Sequence, residues 1–134
     1  MNLKRPDIIK LPKMLVHLSK YTNRNSILQF GILPNIGEIY AEHWMTNYPD
    51  ETLTPAVFLS ATPWIMTSSA AKWYYDVWEV NPYFLDLSKL YIDPAFEGSR
   101  RQAFIYFKGI PADVLNLRRK AKRNPEDEPK IIEC

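Results

Sequence analysis

The sequence predicts an α+β domain, with strands and short helices mixed in its first half and a series of strands in its second. Short apolar runs alternate with helix-start and helix-stop residues through the first half. Apolar and aromatic runs of strand length then follow one another closely. The 134 residues suffice for one domain, and 24% of them are charged, as in ordinary folded proteins.

Two pairs of a strand and a helix are expected in the first half. Residues 1–13 contain two prolines among charges and are predicted to form an extended lead-in. An apolar run at 14–19 predicts the first strand, and Thr22 or Asn23 is placed to cap a helix over 24–30. Gly31 ends that helix and a proline prevents its continuation.

The second pair and the later strands are bounded by proline and glycine. Residues 56–60 predict a buried strand, and a helix starting at Pro63 is expected to run to about position 74. Further strands are predicted at 75–80, 84–87, 90–92, 102–107 and 113–117. The folded domain therefore spans 14–117. The charged segment 118–134 is predicted to begin as a frayed helix end and to continue as a disordered tail.

Composition excludes several classes of protein. The single cysteine is the last residue, and there are only two histidines, so neither an internal disulfide nor a Cys/His zinc site can form. No apolar run approaches the ~18–20 residues of a membrane span, and the first residues lack the apolar region of a signal peptide. We therefore expect a cytoplasmic domain with no metal and no membrane partner; a carboxylate-based metal site is the alternative that these counts leave open. The four glycines do not form a phosphate-binding loop.

The net charge of +2 is unevenly distributed along the chain. Residues 1–13 contain four basic and one acidic residue (+3), residues 14–117 seven and ten (−3), and residues 118–134 six and four (+2). A broad nucleic-acid-binding face is not indicated, because the predicted domain body is mildly acidic. The basic tail is expected to act, at most, as an accessory contact for nucleic acid.

The first predicted strand carries an unusual polar pair. His17 and Ser19 are two residues apart, so both project from the same side of that strand. Two interpretations remain open from the residues alone. His17 is either a buried histidine satisfied by a backbone carbonyl, or one of two polar groups that line a ligand cleft.

Together these elements resemble the ADP-ribosyltransferase superfamily in its histidine-bearing branch. That branch includes poly(ADP-ribose) polymerases, diphtheria-type toxins, DNA-targeting toxins and, more distantly, NAD-dependent RNA 2′-phosphotransferases. The resemblance rests on four segments in the family's order: Leu15-Val16-His17-Leu18-Ser19, Asn25-Ser26-Ile27-Leu28-Gln29-Phe30-Gly31-Ile32-Leu33-Pro34, Val57-Phe58-Leu59-Ser60, and Gln102-Ala103-Phe104-Ile105-Tyr106 with the exit Ile110-Pro111. It implies a split β-sheet with an NAD cleft between two half-sheets.

The resemblance also implies roles for residues of the first strand and helix. His17 and Ser19 are similar to the pair that holds the nicotinamide ribose, and the backbone at Leu18 corresponds to the chain that grips the nicotinamide amide. An asparagine near position 25 helps to bind NAD in the DNA-targeting toxins, so Asn25 is a candidate.

Further candidates follow from the later segments of the resemblance. Phe58 and Ser60 lie on the second strand, Ser68 is similar to the family's small residues, and Tyr74 to the tyrosine that stacks on nicotinamide. Arg100 and Arg101 precede the last major strand, where they are expected to contact a phosphate or the acceptor.

One departure from the family pattern concerns catalysis. Gln102 stands where the family has a glutamate that supports the oxocarbenium-like transition state, and an amide carries no charge. With His17 it is nevertheless the expected catalytic residue. The resemblance implies an NAD-dependent transfer of ADP-ribose to a protein or nucleic-acid acceptor, of the kind that a toxin or effector carries out. A non-catalytic binding protein and an RNA 2′-phosphotransferase are the alternatives.

Overall fold

The computed structural model describes residues 3–36, 41, 44–46, 48, 53–61, 75–96 and 102–121. Six strands and a short helix organise these residues, and the predicted α+β class is confirmed. The strands are β1 (Leu15–Lys20), β2 (Val57–Ser60), β3 (Tyr75–Val80), β4 (Leu90–Ile92), β5 (Ala103–Tyr106) and β6 (Asn116–Arg119), and the helix is α1 (Arg24–Phe30).

All six strands form one antiparallel sheet in the order β4-β5-β2-β1-β3-β6. β1 pairs with β3 along its whole length, from Leu15↔Val80 to Lys20↔Tyr75. Its pairing with β2, on the other edge, has a single register position, Val16↔Ser60. The sheet therefore consists of two three-stranded parts that meet at one residue pair.

Apolar side chains cover both faces of the sheet. On one face, Ile27 of α1 belongs to a buried cluster with residues of β1, β2, β3 and β5, including Leu15, Leu59, Trp78 and Phe104. Strand alternation directs Ile105 to the other face, where it packs with Trp44 and Ala56. The helix is thus attached to the sheet by Ile27, which is its one buried residue.

Outside the helix predicted from Pro63 to about position 74, which lies outside the described residues, most predicted element bounds agree with the structure to within one residue. The strand predicted at 113–117 is only partly right, because Ala112–Val114 form a 3-10 turn and the strand begins at Asn116.

The strand predicted at 84–87 is wrong. Those residues lie in and between two 3-10 turns, Pro82–Phe84 and Leu87–Lys89. The side chain of Asn81 accepts the amide hydrogen of Tyr83, and that of Asp86 accepts the amide hydrogen of Ser88. These local bonds satisfy the backbone in a turn and compete with strand pairing.

The chain end also differs from expectation. Instead of a frayed helix end, the structure has strand β6, which continues through Arg119. A register shift opposite Val77 and Trp78 lets the chain place Arg119, rather than Arg118, beside Val77. The Nε and Nη2 atoms of the Arg119 side chain are buried. Residues 122–134 lie outside the described residues.

Candidate functional site

A cleft opens where β1 and β2 separate beyond their single pair. Its volume is about 220 Å³. β1 contributes His17 and Ser19 to its wall, β2 contributes Phe58, and the segment leading into and along α1 contributes Asn23 and Ser26. The polar pair predicted from strand alternation therefore does line a cleft, at the position where the sheet is divided.

His17 connects the two separated strands by its side chain. Its Nδ1 atom lies 2.9 Å from the carbonyl oxygen of Phe58. Because a carbonyl can only accept, Nδ1 must carry the hydrogen, and Nε2 of the neutral ring keeps a free lone pair. Desolvation lowers the pKa of His17 below its usual value of 6.5, and the bond to Phe58 opposes that shift only in part. His17 is therefore a neutral hydrogen-bond acceptor near pH 7.

The two interpretations of His17 turn out to be compatible. The ring is satisfied by a backbone carbonyl, as in a structural histidine, and it also lines the cleft. The bond to Phe58 uses only one ring nitrogen, so the other is left for a ligand.

Ser19 has the complementary hydrogen-bonding character. Its hydroxyl oxygen accepts a hydrogen bond from Nε1 of Trp78, at 3.0 Å, across the β1–β3 pairing. An indole N–H can only donate, so the hydroxyl hydrogen of Ser19 remains available to another acceptor. The side of β1 that faces the cleft thus presents one acceptor, on His17, and one donor, on Ser19.

The opposite wall of the cleft is polar as well. Asn23 occupies the N-cap position of α1, as predicted, but its side chain makes no capping hydrogen bond. Both Asn23 and Ser26 line the cleft, and neither was a candidate in the sequence. Asn23 lies in the turn that joins β1 to α1. Its position just after the strand of His17 and Ser19 was the sequence signal that could have identified it.

An ion pair fixes α1 against the sheet. Arg24 donates from Nε and Nη2 to the two carboxylate oxygens of Asp76 on β3, at 2.8 and 2.7 Å. The Asp76 side chain is fully buried and also accepts the amide hydrogen of Ala121. The hydrogen bonds from Arg24 to Asp76 raise the pKa of Arg24 further above its usual range. The pair therefore holds the start of α1, with Asn23 and Ser26, over the cleft.

Gly31 allows the chain to leave α1 beside the cleft. Its φ of +76° lies in the region that favours glycine, and a Cβ there would lie 2.0 Å from the carbonyl oxygen of Ile110. The next residue, Ile32, forms an isolated bridge with Ile110. This close approach, which the sequence indicated only as a helix stop, fixes the backbone of Gly31 and Ile32, both of which line the cleft.

The other candidates on the first strand and helix lie outside the cleft wall. Leu18 is half-buried and alternates with His17 and Ser19, so its side chain points to the other face of the sheet. Asn25 is exposed on α1 and does not line the cleft, whereas its neighbour Ser26 does.

The candidates on β2 and near β5 are more widely spread. Phe58 lines the cleft and also packs against the cluster around Trp44. Ser60 occupies the single pair that joins the two parts of the sheet. Gln102 is exposed immediately before β5, its carbonyl accepts the amide hydrogen of Ala61 at 2.8 Å, and it does not line the cleft.

The remaining candidates, Ser68, Tyr74, Arg100 and Arg101, lie outside the described residues. Within the part of the chain that the structure describes, no group of three or more His, Cys, Asp or Glu side chains is arranged to hold a metal ion. In the same part, no helix is long and apolar enough to cross a membrane.

Comparisons with known proteins give no further assignment. No protein-family model, no curated protein and no solved structure matched the chain.

Proposed function

We propose that the cleft binds a ribose of NAD and that the protein transfers ADP-ribose to a protein or nucleic-acid acceptor. The observation that carries this proposal is the pair of complementary groups at the division of the sheet. Nε2 of His17 is an acceptor and the hydroxyl of Ser19 is a donor. A ribose diol offers adjacent hydroxyl groups that can donate to one and accept from the other.

The size of the cleft agrees with one part of such a ligand. Pockets that enclose whole drug-sized molecules have volumes of about 300–1,000 Å³. The cleft, at about 220 Å³, accommodates a sugar with a neighbouring group rather than a complete dinucleotide. The remainder of NAD would extend along the seam between the two parts of the sheet.

The transfer breaks the bond between the ribose and nicotinamide, and the acceptor's nucleophile forms the new bond to the same carbon. The nicotinamide leaves with the bonding electrons, so positive charge develops on the ribose. His17 is neutral and half-enclosed, which suits it to holding the sugar rather than to supplying charge. Its contribution is therefore to position the ribose.

Gln102 is the residue that would orient the reacting centre. Strand alternation from Phe104 predicts that its side chain shares the sheet face of His17. Two strand spacings and two residues separate their Cα atoms, which corresponds to about 12 Å in a regular sheet. From there the side-chain amide of Gln102 would approach a ribose held by His17, but this amide carries no charge.

A second candidate function is NAD binding without turnover. The exposed and uncharged Gln102 favours it, because neither property helps to stabilise a cationic transition state. An RNA 2′-phosphotransferase is less well supported. That activity relies on arginines in the site. Arg24 directly follows the cleft residue Asn23 in the sequence, but its guanidinium is bonded to Asp76.

The test is incubation of the full chain with NAD labelled in its adenylate phosphate, together with a cell lysate. Transfer of label to protein or nucleic acid and release of nicotinamide are measured. We expect labelling by the natural protein, about tenfold more by Gln102→Glu if a carboxylate restores at least ~1.4 kcal/mol of electrostatic support, and none by His17→Ala. Gln29→Ala, on the exposed side of α1, is the matched control and should be unchanged.

Each outcome separates the candidate functions. NAD that raises the unfolding temperature without release of nicotinamide would establish the binding function alone. Release of phosphate from a 2′-phosphorylated RNA would favour the phosphotransferase. If NAD at millimolar concentration neither raises the unfolding temperature nor labels any acceptor, the proposal is refuted.

A further inference from the structure

Two turns that are distant in the sequence meet at one end of the sheet. The 3-10 turn Ile8–Lys10 precedes β1, and the turn Pro82–Phe84 follows β3. The hydroxyl of Tyr83 donates to the carbonyl oxygen of Ile8 at 3.5 Å. Their outward side chains, which we call the apolar tip, are Ile8, Ile9, Tyr83 and Phe84, exposed by 46%, 91%, 62% and 64%.

The apolar tip is built by specific local bonds. Asp7 accepts the amide hydrogen of Ile9 at 3.1 Å, and Asn81 accepts that of Tyr83 at 3.0 Å. Pro82 restricts the second turn at its start. Large apolar side chains are thus held toward water, and contiguous exposed apolar surface commonly marks an interaction site.

The shape and charge of this surface restrict the kind of partner. Ile9 is almost fully exposed, so the tip protrudes and does not form a groove. Lys10 and Lys13 flank it and are exposed, and residues 1–13 carry four basic groups against one acid. The only acid in that segment, Asp7, accepts the amide hydrogen of Ile9.

We propose that the apolar tip docks this protein onto an anionic lipid surface. Protruding isoleucine and aromatic side chains flanked by lysines enter the boundary between headgroups and acyl chains, while the lysines contact anionic headgroups. This surface differs from the sequence-based expectation of no membrane partner. Ile9 and Phe84 are far apart in sequence, and only the fold brings their turns together.

Docking at the tip would leave the cleft open. The tip lies at the end of the sheet where Leu15 pairs with Val80, whereas the cleft lies toward the other end of β1, at Ser19. The proposal does not depend on NAD binding, and it places the cleft and its acceptor near a membrane surface without spanning it.

The test is sedimentation of the full chain with vesicles of phosphatidylcholine, with and without about one-third phosphatidylserine. We expect binding to the anionic vesicles, weakened by salt, and little binding to neutral ones. Ile9→Ser and Phe84→Ser should each weaken it about tenfold or more. Removing charge by Lys10→Gln and Lys13→Gln should cost about fivefold for each lysine.

Leu28→Ser is the matched control, because Leu28 is 57% exposed on α1 and lies outside both the tip and the cleft wall. Its binding should equal that of the natural protein, and unfolding temperatures should confirm that all variants fold. No binding to anionic vesicles, or equal losses in Ile9→Ser and Leu28→Ser, would overturn the proposal. A dimer that Ile9→Ser dissociates, without vesicle binding, would show that the tip joins two copies instead.

Discussion

The two edges of strand β1 are bonded very differently. Toward β3 the register is continuous from Leu15 to Lys20, whereas toward β2 it is reduced to Val16↔Ser60. A continuous ladder satisfies backbone groups and fixes the strand in place. The interrupted edge leaves room for a side chain, His17, to bond the carbonyl oxygen of Phe58 instead. One strand thus serves the stability of the fold on one edge and the candidate site on the other.

Polar groups follow the same division. Along the closed edge, by which we mean the pairing of β1 with β3, polar groups bond to one another, as Ser19 does to Trp78 and Asp76 to Arg24. At the open edge, by which we mean the interrupted pairing of β1 with β2, hydrogen-bonding groups remain available to a ligand, as Nε2 of His17 does. The closed edge therefore orients side chains that the open edge presents to a ligand.

Gly31→Ala should break the open edge most severely. The added Cβ would meet the carbonyl oxygen of Ile110 at 2.0 Å in a backbone conformation unfavourable to alanine, so the contact between Ile32 and Ile110 must shift. We expect a loss of about 4 kcal/mol in the free energy of unfolding, measured by urea denaturation. Gly109→Ala is the control, since its Cβ would lie 3.4 Å from its nearest neighbour, and a similar loss there would contradict this explanation.

Asp76→Asn should weaken the closed edge. The substitution leaves Arg24 without its carboxylate partner in a buried position, where the other partners of Asp76 also converge. We expect a loss of about 2–4 kcal/mol, less than for a completely buried pair because Arg24 is partly exposed. Asp113→Asn, at an exposed position, should change the free energy of unfolding by less than about 0.5 kcal/mol. Equal effects of the two substitutions would show that the ion pair contributes little.

Ser19→Ala tests the link between the two edges. It removes the acceptor of the Trp78 N–H group, which is buried and costs about 1–3 kcal/mol when unsatisfied. Binding of NAD should weaken as well, because the donor toward the cleft is lost. A double-mutant cycle with Trp78→Phe should recover a coupling energy for the hydrogen bond. Strictly additive effects would contradict the pairing.

The smallest effect that we expect is on the pH dependence of the free energy of unfolding, which reports on His17 where β1 meets β2. The pKa of His17 is lowered by desolvation in the folded state, so below pH 6.5 the unfolded state binds the proton first. The stability contributed by neutral His17 is present above pH 6.5 and is lost as pH falls through the lowered folded-state pKa. The slope reaches at most about 1.4 kcal/mol per pH unit. Denaturation of His17→Gln between pH 7.5 and 5 should show a shallower loss, and parallel curves would contradict the assignment.

Local patterns in the sequence predict much of this fold. Alternation predicted that His17 and Ser19 share a side, and Gly31 was correctly placed as the end of α1. The local patterns indicate neither the pairing of strands nor its interruption, since both depend on contacts between distant segments; a divided sheet is implied by the resemblance alone. Asn25 was selected from its position in the resemblance, whereas the turn into α1 brings Asn23 and Ser26 to the cleft.

Nuclear magnetic resonance of the histidine rings tests the central claim most directly, because the chain has only two histidines. Long-range proton–nitrogen correlations report which ring nitrogen carries hydrogen. At pH 7.5 we predict that His17 is protonated at Nδ1 and that its Nε2 resonance shifts on titration with NAD, as a hydrogen bond from ribose forms. An Nε2-protonated ring, or an Nε2 resonance unchanged at saturating NAD, would contradict the account.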